Sequence, residues 1–272
     1  MKRALYSLDD EEFMVLLERT DEVLRGRNIP YMFVGGVATQ AHIANCLCKK
    51  NGTTLHNLAH SSEFRIQDHL RATDDADITL DTRKISDNPH DLKVHQEIMD
   101  ALHDIEGDGG IYSSPTGNHL VSIKLERSGK RRPVFRLGLD KEADSPDSEV
   151  SLNLYYGPQD TNDRWPREMV EFEDKHYFEF FDTCKRISLP FSSGTNVNIN
   201  VKGIEQLLAT KIARGRPKDW SDLVLLYEHC RDACNPADLA EVERVLTARD
   251  KRYNVPNDIL IGRFEKFKAL IK

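Results

Sequence analysis

The stretch that decides the fold is "RATDDADITLD", Arg71 to Asp81. It holds aspartates at 74, 75, 77 and 81, followed and interleaved by an apolar alternation, Ala76, Ile78 and Leu80. Alternation of this kind predicts a β-strand, in which residues i and i+2 share a face. Asp75 and Asp77 then project together from one face, while the apolar set enters a core. Carboxylates are poor strand formers, and two held close together each favour taking up a proton. A divalent cation removes that penalty, and hard oxygen ligands suit magnesium or manganese. Asp81 lies roughly 13 Å beyond Asp77 along such a strand, and Asp74 points the other way. The period therefore selects one pair, Asp75 and Asp77, as candidate metal ligands.

Upstream, "YMFVGG" (Tyr31–Gly36) is a short apolar run ending in two glycines, and "VATQAHIANCL" reads as a helix after it. Glycine allows close backbone approach to a ligand. A helix N-terminus offers unpaired N–H groups and a positive dipole end. Together they suit a phosphate, which makes Gly35 and Gly36 candidate triphosphate-binding residues.

Around these motifs the chain reads as follows. Ser7 and the acids after it predict the start of a helix, with Phe13, Leu16, Leu17, Thr20 and Leu24 on one stripe. The polar run from Lys49 to Leu70 predicts an inserted loop. Leu92, His95, Ile98, Met99, Leu102 and Ile105 mark one face of a further helix. "HLVSIKLE", "PVFRLGLD" and "EVSLNLYYG" are strand candidates; within residues 157–195, "GPQDTNDRWPRE" is loop-like and "HYFEFFDTCKRISLPF" reads as a strand or sheet edge. From Val201 the pattern is helical. Ile204, Leu207, Leu208 and Ile212 form one stripe; Trp220, Leu223, Val224 and Tyr227 form the next. Lys211 falls inside the first stripe, where an unpaired charge is costly. It calls for a carboxylate or a phosphate, unless it snorkels from the stripe's edge.

The 272 residues suffice for two domains, and the reading divides them into 1–200 and 201–272. Net charge is −7 with 39% hydrophobic and 31% charged residues, which argues against a nucleic-acid-coating protein and against wholesale disorder. No run approaches the roughly 18 apolar residues of a membrane span. The opening residues do not form a signal peptide. Five cysteines without a CxxC pair read as reduced thiols of a cytoplasmic protein.

In combination, "FVGGVATQAH", "RATDDADITLD" and "ATKIARGRPKDWSDLVLL" resemble the Gly-Gly, Arg-x-Thr-x-Asp-x-Asp and C-terminal K...R-x-K-D-x-x-D-L motifs of the nucleotidyltransferase superfamily. The resemblance is greatest to the abortive-infection toxins of type IV toxin–antitoxin systems (AbiEii-like), and it spans roughly residues 10–230. It implies an α/β (α+β) fold: a mixed β-sheet domain flanked by helices, followed by a C-terminal helical domain. It implies a nucleoside triphosphate substrate, Mg2+ or Mn2+, an acceptor hydroxyl on tRNA or protein, and a possible antitoxin partner. By resemblance, Asp75 and Asp77 bind metal, Gly35 and Gly36 hold the triphosphate, Lys211 and Asp219 are C-terminal active-site residues, and Arg71 and Thr73 support the site. Many relatives carry a third carboxylate where this chain has Asn153. An amide oxygen can ligate a metal without adding charge. Asn153 is thus a candidate nucleotide-site residue, with Glu126 and Asp140 as substitute acids. It also motivates an alternative, a catalytically impaired module on the same fold that binds nucleotide or a partner. His42, the His56–His60–His69 group, the basic turn Gly129–Pro133 and Trp165 are weaker candidates.

Overall fold

The computed structural model describes residues 8, 10–73, 75–86, 92–106, 111–113, 120–128, 134–139, 149–156, 179–231, 236–247 and 257–271. For Glu12, Asp75, Thr82, His95, residues 236–238, Asn257 and the described residues within 106–180, only the backbone is described. Ser7, Gly129–Pro133, Asp140 and Trp165 lie outside these residues, as does the side chain of Glu126.

The chain divides into two compact units, residues 1–156 with Arg186–Val201, and Gly157–Lys185 with Lys202–Lys272. The first is built on an eight-stranded mixed sheet in the order β3-β4-β5-β6-β2-β1-β8-β7. Its strands are β1 (Tyr31–Phe33), β2 (Asp75–Leu80), β3 (Ile111–Ser113), β4 (Leu120–Ser128), β5 (Val134–Leu139), β6 (Glu149–Tyr156), β7 (Lys185–Ser192) and β8 (Thr195–Val201). The helices of this unit are α1 (Glu11–Gly26), α2 (Gly35–Asn51), α3 (Leu55–Ala59) and α4 (Leu92–Glu106). This is the mixed α/β architecture that the alternations and the two glycines imply.

At the centre, β2 runs antiparallel to β1 and parallel to β6. Ala76, Ile78 and Leu80 are fully buried, as a strand with one core face requires. All of β1 is buried as well, which explains its lack of polar alternation. In α1, Phe13, Leu16, Leu17, Thr20 and Leu24 are buried. Asp10 caps this helix by accepting the Phe13 N–H at 3.2 Å. The carboxylate of Asp21, buried in the same helix, accepts the Tyr31 hydroxyl and two bonds from Arg186, both 2.8 Å. Asn200 N donates to the same Tyr31 oxygen at 3.3 Å. This cluster joins α1, β1, β7 and β8.

Two expectations need correction, and the stretch read as strand or edge becomes specific. The run Lys49–Leu70 is not an irregular loop: Thr54 caps the short α3, and Leu55, Leu58, Ile66 and Leu70 are buried. Leu92 does not share the core face of α4; it is 78% exposed in the first turn, while Val94, Ala101 and the later apolar positions are buried. Finally, "KRISLPFSSGTNVNIN" is a pair of neighbouring strands, β7 and β8, joined at Ser193–Gly194 with Gly194 at φ +80°. Strand β8 lies parallel beside β1 through Phe33 and Val201. The period-two signal (Ile187, Leu189, Phe191; Val197, Ile199, Val201) was there to be read. The strand-or-edge reading of "HYFEFFDTCKRISLPF" reaches β7 and does not single out β8.

The second unit contains α5 (Glu179–Asp182), α6 (Ile204–Arg214), α7 (Pro217–His229), α8 (Pro236–Thr247) and α9 (Asn257–Leu270). Helix α6 packs with α7, α8 and α9. Gly215 ends α6 in a left-handed conformation, φ +59°. Pro217 then opens α7 at a position where its missing N–H costs nothing.

Candidate active site

The site is built where β1 turns into α2 against the start of β2. Val34, the residue between them, donates its N–H to the Asp77 carbonyl at 2.9 Å, fixing the turn over β2. Gly35 then takes φ +61°, a conformation that disfavours any residue with a Cβ. A Cβ there would also stand 2.9 Å from Asp77 Oδ2. At Gly36 a Cβ would meet Thr73 Oγ1 at 2.9 Å and lie 3.6 Å from Arg71 Nη2. The two glycines therefore pack directly on the side chains of Arg71, Thr73 and Asp77, residues about forty positions away in sequence. Thr39, one turn into α2, donates its hydroxyl to the Gly35 carbonyl at 2.8 Å. The sequence reading did not single out Thr39; its only sequence signal is the i, i+4 spacing from Gly35.

The start of α2 suits an anion. Its N-cap, Val34, makes no side-chain cap, and its first turn has no acidic residue. The leading N–H groups are thus not engaged by a side-chain cap. Both glycines are partly exposed, and Asp77 is intermediate between buried and exposed. Thr79, on the same strand, and Asp81, just after it, are buried. Asp81 accepts two bonds from Arg83, at 2.8 and 2.7 Å, and so has a local structural partner.

Asp75 occupies the first position of β2, two residues from Asp77. Strand β6 pairs with β2 so that Asp75 is level with Ser151 and Asp77 with Asn153. Position 153 is thus the lateral neighbour of Asp77 in the sheet. Among the described residues, no group of three or more His, Cys, Asp or Glu is placed to hold a metal ion. Asp77 Oδ2 lies against the Gly35 backbone, where a Cβ would crowd it. His42, also on α2, is buried. His56 and His60 stack on each other with ring centroids 4.2 Å apart, and His69 stacks on Phe64 at 4.5 Å.

The C-terminal signature lies in the second unit. Lys211 is 4% exposed, and its Nζ is 2.5 Å from Asp222 Oδ2 and 4.0 Å from Asp219 Oδ1. It does not snorkel; a carboxylate supplies the partner that its place in the apolar stripe demands. Burial pushes the Lys211 ammonium below its ordinary pKa, against the opposing charge and hydrogen bond of Asp222. Asp219 is buried too and accepts from Arg216 Nε at 2.7 Å, Nη2 at 3.1 Å and backbone N at 3.2 Å. The buried face of α7 is accordingly Asp219, Asp222, Leu223 and Leu226, rotated from the expected stripe through Trp220, Val224 and Tyr227. Charge pairing with Lys211 draws the two aspartates inward. Asp222, part of the C-terminal signature, is thus the hydrogen-bonded partner of Lys211.

The family described as "Nucleotidyl transferase AbiEii toxin, Type IV TA system" matches residues 52–270. The chain belongs to this family. The match takes in Arg71, Thr73, Asp75 and Asp77 and the C-terminal signature. It continues through α8 and α9, beyond the roughly 10–230 span of the motif resemblance. Gly35 and Gly36 precede its first residue. No curated protein matches the chain. Among solved structures, this AbiEii-family chain is similar to an antigenic nucleotidyltransferase-like protein from Paracoccidioides brasiliensis (15% identity, TM-score 0.42, 98% of this chain and 90% of that one). It is also similar to JHP933 from Helicobacter pylori (12% identity, TM-score 0.39, covering 97% and 94%). A third is the antibiotic-resistance factor ANT(2'')-Ia (12% identity, TM-score 0.37, covering 94% and 95%). Among the described residues, no helix is long and apolar enough to cross a membrane.

Proposed function

We propose that this nucleotidyltransferase-family chain moves a nucleotidyl group from a nucleoside triphosphate to a hydroxyl of tRNA or of a protein, as the toxin of a toxin–antitoxin pair. The observation that carries this reading is the packing of Gly35 and Gly36 onto Arg71, Thr73 and Asp77. It brings a helix N-terminus and a carboxylate strand together in one place. In this reading the N–H groups at the start of α2 receive the triphosphate, and Thr39 holds the Gly35 carbonyl back from it. Arg71 and Thr73 back the glycine turn from below.

Asp77, with Asp75, would hold Mg2+ or Mn2+, whose chemistry when bound is to neutralise charge on the phosphates. The donor type fits a hard cation, since carboxylate oxygens suit Mg2+ or Mn2+, and Asp77 Oδ2 lies against Gly35 at the glycine turn. The proposed active-site roles of Lys211 and Asp219 rest on the motif resemblance. Their pairings within the helical unit support a positioning role for both.

The test is incubation with each labelled nucleoside triphosphate, Mg2+ or Mn2+, and total RNA or protein. Label should pass to one acceptor class, and Asp75→Ala with Asp77→Ala should abolish transfer without unfolding the chain. No transfer from any of the triphosphates would refute the reading. The pairing of Asp77 with Asn153 motivates the second reading, a module that binds nucleotide without turning it over. Metal-dependent binding by calorimetry, without transfer, would favour it.

A further inference from the structure

Helix α3 carries two histidines that the proposed transfer reaction does not use. His56 lies in its first turn and His60 is its C-cap. They stand at i and i+4, so both rings project from one face. The ring centroids are 4.2 Å apart and the planes are tilted by 38°. His60 is exposed and His56 half-buried, so solvent reaches the pair. Buried Leu55 and Leu58 hold the other face of the helix in the core.

A hydrogen bond fixes the tautomer of His60. Its Nδ1 is 2.9 Å from the His56 carbonyl oxygen. A carbonyl oxygen only accepts, so Nδ1 carries the ring proton and donates it. In the neutral ring the in-plane lone pair then sits on Nε2. Metal-binding imidazoles are oriented in this way: one ring N–H goes to a carbonyl, and the other nitrogen takes the ion. Among the described residues, no hydrogen bond engages Nε2 of either ring. The spacing suits a shared ion as well. Two imidazoles bound to one ion at about 2.0–2.1 Å, about 90° apart, have their centroids roughly 4.5 Å from each other. Paired histidines at i and i+4 on a helix are a recurrent zinc-binding arrangement.

We propose that His56 and His60 chelate a divalent cation of the zinc class at a site separate from the carboxylate pair. Imidazole suits such ions, whereas magnesium prefers oxygen ligands. Water completes the coordination, so the ion exchanges with its free pool. Bound, it ties together the two ends of a helix too short to be stable by itself. The site is remote from the glycine turn: α3 follows the C-terminal end of the 17-residue α2, and Gly35 opens the other end. That helix is about 25 Å long. The proposal therefore does not depend on the reaction assigned to the glycine turn.

The test uses the full-length protein, stripped of metal and titrated with Zn2+ by calorimetry, with Mg2+ in excess to compete at the carboxylate pair. Zinc should bind saturably. His56→Gln and His60→Gln should each weaken binding at least about tenfold, since losing even a partner that orients a ligand costs that much. His103→Gln, which removes an exposed imidazole from α4, should leave binding unchanged. Zinc should also slow hydrogen exchange of the Leu58 and His60 amides, which donate to the Thr54 and His56 carbonyls at 3.1 Å each. That protection should vanish in His60→Gln. His60 is exposed, so this variant keeps the fold and decides the matter should His56→Gln disturb it. The proposal is overturned by absence of saturable zinc binding, by wild-type affinity in His60→Gln, by equal weakening in His103→Gln, or by binding that leaves the two amides unprotected.

Discussion

Replacing Gly36 by alanine should destabilise this protein although the position is helical, and Thr73 should be the reason. In an open helix, alanine is better than glycine by about 1 kcal/mol. Gly36 has no left-handed φ to protect, so backbone strain does not oppose the change. What opposes it is Thr73: the new Cβ would stand 2.9 Å from its Oγ1 and 3.1 Å from its Cβ. Thr73 is 4% exposed and cannot swing into solvent. Overpacking of this kind costs about 1–3 kcal/mol, so the net effect should be a loss of up to about 2 kcal/mol. The assay is a double-mutant cycle by denaturant unfolding, with Thr73→Gly as the second change. Removing the Thr73 side chain removes the collision, and Gly36→Ala should then become stabilising by up to about 1 kcal/mol. The coupling between the two sites should exceed about 1 kcal/mol. Transfer activity should follow the same pattern if the glycine turn positions the triphosphate. A stabilising Gly36→Ala in the wild type, or coupling within about 0.5 kcal/mol of zero, would refute the close packing of the two motifs.

Breaking the buried ion pair in the helical unit by Asp222→Ala should cost up to about 3–5 kcal/mol, because buried Lys211 loses its hydrogen-bonded partner and keeps only Asp219, 4.0 Å away. Lys211→Met combined with Asp222→Leu should recover most of that stability, and a null effect of the single change in thermal unfolding would argue against the pairing. Removing Asp219 should release Arg216 and the first turn of α7; near-wild-type stability with lost transfer would instead assign Asp219 a direct catalytic part. The pH dependence of stability should carry a signature of Asp81. Burial raises its pKa, but the Arg83 hydrogen bonds and charge, with Lys84 adding, bring it below the ordinary carboxylate value. A lowered folded pKa means stability that is present above the unfolded value, about 3.9, and lost as pH falls through the folded one. Arg83→Gln should flatten the acid limb of the stability profile, and an unchanged limb would count against this assignment.

How much of this was legible in the chain depends on how local the cause is. The alternation of Ala76, Ile78 and Leu80 is a property of neighbours two residues apart, so it can be read without a partner strand. The turn of β1 into α2 at Gly35–Gly36 is equally local, as is the misfit of a lysine inside the stripe of α6. Those signals were sufficient for the mixed α/β architecture, the helical end and the family. They could not name the partners. That Lys211 meets Asp222, while Asp219 turns to Arg216, depends on the rotation of α7 about its axis, which moved the buried face away from the apolar stripe. That β8 lies beside β1 depends on a pairing more than 160 residues long in sequence, carried by Phe33 and Val201. The level of Asn153 with Asp77 is a register between β2 and β6, set by the whole ladder and by no residue alone. The glycines show the division most clearly. By itself the sequence determined that Gly35 and Gly36 permit a tight turn. Only the tertiary structure decided why larger residues fail there: Asp77 and Thr73, brought in from β2 and the residues before it, already fill the space a Cβ would need.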